Sequence, residues 1–371
     1  MLKHHHQADS GQGVESRFVV YQEEESPPVE RVSFLGLGER STIHQARLRL
    51  KRAVALAPAG VVVYHTVWGM TYWADLDRSL RRILVLHSDS PGLEEQLRMR
   101  GEWIDGVLCV SERLRARVET CLPNLARGRV ERIHYPILPL FPARAREALR
   151  DRPLVLGFCG RLIFEQKRVD RLPALCARLD RAGVNYRFEF LGGGPQQRWL
   201  EAELPDRAKF LFHGWQSGQD YWRTISGWDT ILFVSDYEGT PISLLEAMSA
   251  GVVPVYPRIH TGGDAYAAGV RPDLLYTPDD FDSVAAALGK LRQMRPEELG
   301  ELRRRCQEAV RLHLGDNYVA TFAQFIRHIA AAPRIARDTF PKRPWPVDHL
   351  PLSWVARLGL LRRGCMRLAG R

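Results

Sequence analysis

Cysteine is scarce in this chain, and its six cysteines are scattered. No two of them form a C-x2-C pair, the usual spacing of a zinc site or a thiol redox motif. A disulfide framework is typical of short secreted chains that are dense in cysteine, which this chain is not. The pattern argues against a disulfide-stapled protein and a cysteine metal site. It favours a reducing compartment, and we expect a cytoplasmic protein without a metal cofactor.

Long apolar runs are missing as well. No stretch of about 18 consecutive apolar residues occurs, which a membrane-spanning helix would need. The first residues, MLKHHHQADSGQG, lack the apolar segment of a secretory signal. We therefore predict that the chain neither spans a membrane nor is exported by that route. Residues 1–16 show no periodic pattern and are predicted to be poorly ordered, with His4 to His6 interpreted as incidental.

Positive charge exceeds negative charge, with 53 Lys and Arg against 43 Asp and Glu and a net charge of +10. This balance indicates an anionic partner such as phosphate, anionic lipid or nucleic acid. The basic residues are spread along the chain, and no aromatic-basic motif of nucleic-acid binders is present. We therefore expect no nucleic-acid partner.

The 371 residues suffice for two domains with full cores. Apolar strand-like runs alternate with helix-like segments, which predicts an α/β protein with parallel, doubly wound sheets. One predicted helix covers Ser41 to Ala57, with Leu48 and Val54 on its inner side. The predicted divisions are a reduced first domain at 17–140, a proline-rich linker at 141–153, a second domain at 154–315, closing helices at 316–340 and a basic tail at 341–371.

The most informative stretch is 231–255, ILFVSDYEGTPISLLEAMSAGVVPV, which predicts a strand, a tight turn, a helix and a second strand. Thr240 suits a helix N-cap and Pro241 the first helical position. The free N–H groups and the positive end of the helix dipole would then lie beside Gly239, where no side chain blocks approach. This arrangement predicts an anion site.

Two carboxylates flank that turn, Glu238 before the helix and Glu246 in its second turn. A nucleotide-diphospho-sugar has a matching spacing, with its diphosphate on the helix N-terminus, sugar hydroxyls at Glu238 and ribose hydroxyls at Glu246. A helical Glu by itself is more often a solvated residue. The Gly-Thr-Pro entry and the flanking apolar strands favour the donor-binding interpretation.

With seven residues between Glu238 and Glu246, the chain resembles the retaining glycosyltransferases of family 4, whose signature is E-x7-E. Other elements resemble that family in the same order: Leu156–Arg161 with Glu165–Lys167, the glycine turn Phe190–Pro195, His213–Trp215, and Trp228–Asp229. The resemblance covers residues 155–285, and more loosely 58–140.

The resemblance implies the GT-B fold, in which two doubly wound Rossmann-like domains face each other across a cleft. It implies transfer of a sugar from a nucleotide-diphospho-sugar, a UDP- or GDP-sugar, to a hydroxyl, with retention of the anomeric configuration. The expected acceptor is a glycan or lipid-linked glycan, as in envelope polysaccharide synthesis. The family's usual first strand and glycine-rich turn have no clear equivalent before Arg17.

The same resemblance assigns roles to individual residues. The expected catalytic residues are Arg161 and Lys167, which would stabilise the departing diphosphate, Glu238, which would hold the sugar, and His87, which would orient it. The family spaces the two cations one residue closer, so Arg168 remains an alternative to Lys167. The expected donor-binding residues are Gly160, Gly193, Gly239, Thr240, Pro241 and Glu246.

Two further polar residues follow apolar strands and are assigned to the acceptor side, His65 and Asp89. Ligands bind beyond the carboxyl ends of strands in open α/β sheets, which is where both residues are predicted to lie. A single histidine at a strand end is more often a structural residue. For His65 this structural interpretation remains the favoured one.

Two other functions remain open, and a third is disfavoured. A GT-B protein that binds without turnover would fit the small first domain, although the intact Glu238, Glu246, Arg161 and Lys167 argue against it. An isomerase of sugar nucleotides would share the architecture. Hydrolysis of glycosides is disfavoured because the two acids are spaced to hold a donor rather than to flank one bond.

The tail from Ser353 to Arg371 contains five arginines and no acid, with apolar residues among them. This composition suits a basic amphipathic helix on an anionic membrane. Three glycines, Gly359, Gly364 and Gly370, argue against a stable helix, so a disordered basic tail is the alternative. We accordingly expect a cytoplasmic protein that is peripheral at the inner membrane face if the tail binds lipid.

Overall fold

The computed structural model describes His5 and residues 9–21, 30–55, 60–65, 80–90, 92–125, 128–137, 149, 152–314, 317–333 and 346–354. These residues form two α/β domains, each built on a parallel sheet. The predicted α/β class is confirmed. The domains meet where the carboxyl ends of their strands face each other, since Ser88 after one strand bridges Gly239 of the other domain.

The first domain has a four-stranded parallel sheet. Its strands, neighbours in sequence order, are β3 (Val61–Tyr64), β4 (Arg81–Leu86), β5 (Gly106–Cys109) and β6 (Val130–Arg132). The first two strands of the chain, β1 (Phe18–Val20) and β2 (Val32–Phe34), pair only with each other in the described residues. The helices are α1 (Ile43–Ala55), α2 (Leu93–Arg100) and α3 (Glu112–Cys121). Ser111 caps α3 as expected, accepting a hydrogen bond from the Leu114 amide.

The second domain has a six-stranded parallel sheet. Its strands are β7 (Leu154–Cys159), β8 (Tyr186–Leu191), β9 (Phe210–Gly214), β10 (Thr230–Leu232), β11 (Val253–Pro257) and β12 (Leu275–Tyr276). Their order is β12-β11-β10-β7-β8-β9. The chain starts in the middle at β7, runs outward to β9 and returns to β10 on the other side of β7. The carboxyl ends of β7 and β10 therefore form a topological switch point, where open α/β sheets bind ligands.

Helices cover both faces of this sheet and close the chain. They are α4 (Leu172–Arg181), α5 (Gln197–Glu203), α6 (Gly218–Gly227), α7 (Ile242–Ser249), α8 (Gly262–Val270), α9 (Phe281–Gln293), α10 (Pro296–Ala309) and α11 (Asn317–Ala331). Short 3-10 turns occur at Ser10–Gln12, Gly101–Trp103, Val169–Arg171, Pro272–Leu274, Arg311–His313 and Pro346–His349.

The last helix returns to the first domain, as expected of the closing helices. A Cβ atom on Gly106 in β5 would lie 2.7 Å from the end of Ile329 in α11. Arg81 and Arg129 of the first domain donate hydrogen bonds to the carbonyl groups of Ala332 and Pro333, just after that helix. The final helix, which follows the second domain in the chain, thus packs on the first domain.

Helix α1 differs from its prediction in one residue. Ile43, Ala46 and Leu50 are buried, whereas Leu48, predicted to face inward, is 47% exposed. Leu48 lies two residues after Ala46 and two residues before Leu50. Two residues are about half a helical turn, so Leu48 lies on the opposite side of the helix from both. The prediction for Leu48 is therefore wrong, while Val54 packs against the core.

Part of the amino-terminal segment also differs from expectation. His5 is 2% exposed, and its ring nitrogens bond to Asp9 and to the Tyr318 hydroxyl of α11, both at 3.0 Å. A polar side chain can be buried in this way when both of its polar atoms have partners. His5 therefore packs on the closing helix with Asp9 buried beside it, which differs from the prediction for residues 1–16. Most of the predicted linker and of the basic tail lies outside the described residues.

The core of the second domain includes β10, β11 and helix α7, whose inward residues are fully buried. Within the described residues, no helix has the length and apolar character that crossing a membrane requires.

Candidate functional site

Helix α7 lies at the switch point, and its start differs slightly from the prediction. The helix runs from Ile242 to Ser249, and Pro241, with φ −62° and ψ 124°, occupies the N-cap position. Thr240 is buried and donates its hydroxyl hydrogen bond to the carbonyl of Val110 in the first domain. Thr240 therefore lies one residue before the N-cap, and its hydroxyl joins the two domains.

Gly239 is needed for that junction. A Cβ atom on Gly239 would lie 1.9 Å from the carbonyl oxygen of His87, far inside contact distance. The adjacent Asp89 amide donates to the Glu238 carbonyl at 3.4 Å. The absence of a side chain on Gly239 thus makes room for the first domain's backbone. The space beside Gly239 that was predicted to be open is occupied by His87 and Ser88.

Glu238 is the centre of a polar cluster. It is 4% exposed, and its Oε1 atom accepts hydrogen bonds from Lys167 Nζ at 2.6 Å and Ser235 Oγ at 2.7 Å. Gln166 Nε2 donates to Oε2 at 3.3 Å. A buried carboxylate with these donors is held in one orientation. The structure therefore brings the predicted Glu238 and Lys167 into direct contact.

The same cluster extends to Arg161. This residue is exposed, and its Nη2 donates to Gln166 Oε1 at 3.1 Å. Gln166, which sequence inspection did not single out, thus links Arg161 to Glu238. In the sequence, Gln166 could have been noticed only because it lies between Arg161 and Lys167. A single glutamine forms no motif that indicates a function.

Arg168, the alternative to Lys167, points elsewhere. Its guanidinium pairs with Asp170 at 2.8 Å and with Asp236 at 2.9 Å. The hydrogen bonds to Asp170 and Asp236 raise the pKa of Arg168 above its usual value. Desolvation lowers it, but by less. The structure thus favours Lys167 over Arg168 as the second cation.

Gly160 provides the space in which Lys167 lies. Its φ is 152°, and a Cβ atom there would be 3.2 Å from Lys167 Cε. Gly193 has a different surrounding, with its carbonyl accepting from the Leu162 amide at 3.0 Å. A Cβ atom on Gly193 would lie 2.9 Å from Trp215 Nε1. Both glycines thus lie at the carboxyl edge of the sheet, on loops that contact each other.

Glu246, in the second turn of α7, lies in a second cluster. Burial raises its pKa to about 7, against the opposing effect of a hydrogen bond donated by the Tyr221 hydroxyl of α6. The Tyr221 oxygen is also 3.8 Å from the sulfur of Cys159 at the end of β7. Tyr221 was missed at the sequence level, because only the tertiary structure brings α6 beside α7.

His87 lies across the junction in a stack of three rings. Its ring is 5.4 Å from that of His65 and 5.8 Å from that of Tyr135. One ring nitrogen of His87 lies 3.2 Å from His65 Nδ1, and the other bonds to the Tyr135 hydroxyl. Both nitrogens of His87 are therefore engaged, and His65 and His87 act as one unit. Tyr135 was also missed, since it follows β6 without a motif.

Burial keeps both histidines neutral. The pKa of His87 is lowered to about 3, chiefly by burial and also by His65, and the pKa of His65 is lowered to about 4, chiefly by burial and also by His5. A neutral imidazole can orient a hydroxyl by donating or accepting one hydrogen bond. The stack suits positioning more than proton transfer near neutral pH.

Asp89 has a different environment from the one predicted. It pairs with Arg113 at 3.4 Å and with Arg117, both in α3. Its side chain is 7% exposed. These pairs anchor the loop after β4 to α3, so the structure places Asp89 in a supporting position behind His87. Among the described residues, no three His, Cys, Asp or Glu side chains are grouped as metal ligands would be.

The sequence of the domain that carries these residues is similar to those of known glycosyltransferases. Residues 153–293 match the model of a family described as Glycosyl transferases group 1. The lipopolysaccharide 1,6-galactosyltransferase of Salmonella typhimurium is 30% identical over 148 residues, which are 38% of this chain and 40% of that protein. The matches to the first curated relatives span between 26% and 41% of those proteins' length.

Solved structures share the fold over a larger part of the chain. The lipopolysaccharide outer core galactosyltransferase WaaB, in its apo form, has a TM-score of 0.58 and 19% identity, covering 77% of this chain and 80% of that one. The pneumococcal O-GlcNAc transferase GtfA, in complex with UDP and GlcNAc, has a TM-score of 0.62 and 14% identity, covering 78% of this chain and 60% of that one. The chain therefore has the GT-B fold, and its second domain is similar in sequence to the group 1 glycosyltransferases.

Proposed function

We propose that this protein is a retaining glycosyltransferase of family 4, which moves a sugar from a nucleotide-diphospho-sugar to a hydroxyl acceptor. The observation that carries the proposal is the contact between Lys167 and Glu238, with Arg161 linked to it through Gln166, at the switch point facing the other domain. Two cations beside an oriented carboxylate suit a substrate that has a diphosphate next to a sugar.

Each side chain has a role in this scheme. Lys167 has three N–H donors and uses one on Glu238, so the remaining donors suit a phosphate oxygen. Arg161 supplies a second, exposed cation for the same diphosphate. Glu238 accepts hydrogen bonds from the sugar hydroxyls. Glu246, at the opposite end of the motif, accepts from the ribose.

The reaction proceeds on one face of the sugar. The bond between the anomeric carbon and the diphosphate oxygen breaks first, and its electron pair stays on the diphosphate. The acceptor oxygen then bonds to the anomeric carbon from the same side, and the acceptor proton passes to the diphosphate. Arg161 and Lys167 stabilise the charge that develops on the leaving group, so the scheme assigns no metal ion. His87 orients the sugar from the first domain by exchanging one of its two ring hydrogen bonds for a bond to a sugar hydroxyl.

The donor in this proposal is a UDP- or GDP-sugar, and the acceptor is a glycan or lipid-linked glycan of an envelope polysaccharide. The name of the curated Salmonella relative, a lipopolysaccharide galactosyltransferase, supports the acceptor class. The complex of the structural neighbour GtfA with UDP supports a uridine nucleotide. We place the protein in the cytoplasm, with the basic tail from Ser353 to Arg371 in contact with the inner membrane face.

Thermal unfolding in the presence of UDP-, GDP- and ADP-sugars tests donor binding first. A ligand at about 100 times its dissociation constant should stabilise the protein by about 2.7 kcal/mol. The donor selected in this way is then incubated with acceptor glycans, and proton NMR of the product gives the anomeric configuration. Inversion would refute the retaining mechanism. Binding without turnover would indicate a GT-B binding protein, and conversion of the donor without acceptor would indicate an isomerase.

A further inference from the structure

Two segments of the chain that lie between the domains contact each other. One segment follows β6 of the first domain, and the other is the 3-10 turn Arg311–His313, between α10 of the second domain and the closing helix. The Ile137 amide donates to the His313 carbonyl at 3.0 Å, and Ile137 forms a bridge with Leu314. His313 therefore lies where the chain leaves the first domain and where it returns to it.

The side chain of His313 is buried at this place, with 2% exposure. Its Nδ1 atom lies 2.8 Å from the Tyr135 carbonyl oxygen, and its Nε2 atom lies 2.5 Å from the Tyr266 hydroxyl. Burial lowers the pKa of His313 to about 4, so the ring is neutral near pH 7 and has one N–H group. A carbonyl only accepts, so this N–H is at Nδ1, and Nε2 accepts from Tyr266.

Tyr266 connects this histidine to the first domain a second time. Its hydroxyl, in α8 of the second domain, accepts a hydrogen bond from Arg132 Nη2 of the first domain at 3.1 Å. Every donor in the series points the same way, and in buried surroundings each such bond polarises and strengthens the next. We call the four residues of this series the hinge chain: Arg132, Tyr266, His313 and Tyr135.

Tyr135, the last residue of the hinge chain, also contacts the candidate site. Its side chain is 4% exposed, and its hydroxyl bonds to Nδ1 of His87. The two rings are stacked, with centroids 5.8 Å apart and 7° between their planes. The second domain thus holds the backbone of the same residue whose side chain holds His87.

We propose that Tyr135 is a positioning residue that sets the orientation of His87, and that Tyr266 and His313 act on His87 through it. This inference rests on the proposed function, in which His87 orients the donor sugar. Tyr135 keeps its bond to Nδ1 of His87 during the reaction, while Nε2, which lies 3.2 Å from His65, exchanges its bond for one to the sugar. The relative position of the two domains then controls the orientation of His87.

Nuclear magnetic resonance of the imidazole nitrogens in ¹⁵N-labelled protein tests the positioning without any ligand. Tyr135→Phe keeps the stacked ring and removes the hydroxyl, so the Nδ1 signal of His87 should move from its wild-type position. Tyr266→Phe removes the donor to Nε2 of His313, so it should move the signals of His313 and His87 together. The spectrum of His87→Ala assigns the His87 signals.

The matched control is Tyr186→Phe, in the second domain. Tyr186 is buried, is not part of the hinge chain, and donates its hydroxyl hydrogen bond to the Cys176 carbonyl at 3.3 Å. This variant should leave the signals of His313 and His87 at their wild-type positions. Thermal unfolding confirms that each variant is folded.

Kinetics with the sugar nucleotide that thermal unfolding selects test the effect on transfer. Tyr135→Phe should lower kcat about fivefold, because one buried hydrogen bond is lost. Affinity for the free nucleotide should stay within about twofold, since the nucleotide binds to the other domain in the proposed function. In combination with His87→Ala, the variant should lower kcat no further, because a positioning residue has no effect once the residue that it positions is gone. Tyr186→Phe should change kcat by less than about twofold.

Three results would overturn the proposal. Unchanged His87 signals in Tyr135→Phe would show that the hydroxyl does not hold the ring. Movement of the His313 signals alone in Tyr266→Phe would limit the hinge chain to stabilising the domain junction. Additive losses of kcat in the double variant would give Tyr135 a role of its own. If no sugar nucleotide binds or reacts, the proposed function fails, while the His87 signals still decide whether Tyr135 positions this ring.

Discussion

The candidate site residues of the two domains differ in how many hydrogen-bond donors and acceptors they have left for a ligand. In the second domain, Lys167 uses one of three donors on Glu238, and Arg161 remains exposed. In the first domain, both ring nitrogens of His87 bond to neighbours within the same domain. In the proposed function, the second domain thus has donors left for an anionic ligand, whereas His87 of the first domain has both ring nitrogens bonded to protein.

The main sheets of the two domains also differ, in their strand order. The second domain has a reversal in strand order and therefore a switch point at β7 and β10. The four strands of the first domain's main sheet follow their sequence order, without a reversal among the described strands. The match to the glycosyltransferase family model also falls on the second domain. The family match, the switch point and the residues that we propose to bind the donor therefore belong to the same domain.

The largest expected effect is on turnover in the second domain. Arg161→Ala should lower kcat about a hundredfold or more and change donor affinity much less, because the cation matters most as the leaving group gains charge. Arg168→Ala is the matched control, since its side chain pairs with Asp170 and Asp236. Steady-state kinetics of both variants decide the matter, and an unchanged kcat with a raised KM would show that Arg161 only binds.

The next effect concerns nucleotide affinity. At pH 8, where Glu246 is ionised, Glu246→Ala removes a charge-assisted acceptor for the ribose that contributes about 1.5 to 3 kcal/mol. Calorimetric titration with the free nucleoside diphosphate should therefore show affinity lower by a factor of about 10 to 150. If mutant and wild type bind the nucleotide equally, Glu246 has no role in the ribose site.

Stability should depend on pH through the same residue. Glu246 holds its proton to about pH 7 in the folded state, against an ordinary value of 4.5, so the folded state binds more protons between these values. The free energy of unfolding therefore falls as pH rises through this window. Glu246→Gln should stabilise the protein by about 1 to 3 kcal/mol at pH 8 and not at pH 4.

Urea unfolding at the two pH values measures this difference. Glu203→Gln, which changes an exposed carboxylate in α5, is the matched control and should show no such dependence. An equal effect of Glu246→Gln at both pH values would contradict a buried carboxyl with a raised pKa.

The smallest effect is expected in the first domain. His87→Ala should lower kcat by up to about tenfold, because one neutral hydrogen bond contributes about 0.5 to 1.5 kcal/mol. Affinity for the free nucleotide should stay within about twofold, since the histidine lies on the other domain. The pKa of His87 is about 3, so its removal should leave the shape of the pH profile between pH 6 and 8 unchanged. A lost inflection in that range would indicate proton transfer by His87.

Several features could be predicted from the sequence because they depend on local pattern. The alternation of apolar runs and amphipathic segments predicted the α/β class, and the Ser111 cap follows from its side chain. Leu48 shows the limit of the method, since an apolar residue in a helical segment was assumed to face the core. The backbone phase set by Ile43, Ala46 and Leu50 places it outside.

The sequence alone predicted the fold class and the candidate residues Arg161, Lys167, Glu238 and Glu246, of which the two acids have the E-x7-E spacing. Tertiary structure decided which of them touch, because contacts such as Lys167 with Glu238 and Tyr221 with Glu246 join segments 25 or more residues apart. It also changed the role of Thr240, from a helix cap to a bond across the domains. The Thr240 hydroxyl can donate to Val110 only after both domains have folded and met, because that carbonyl belongs to the other domain.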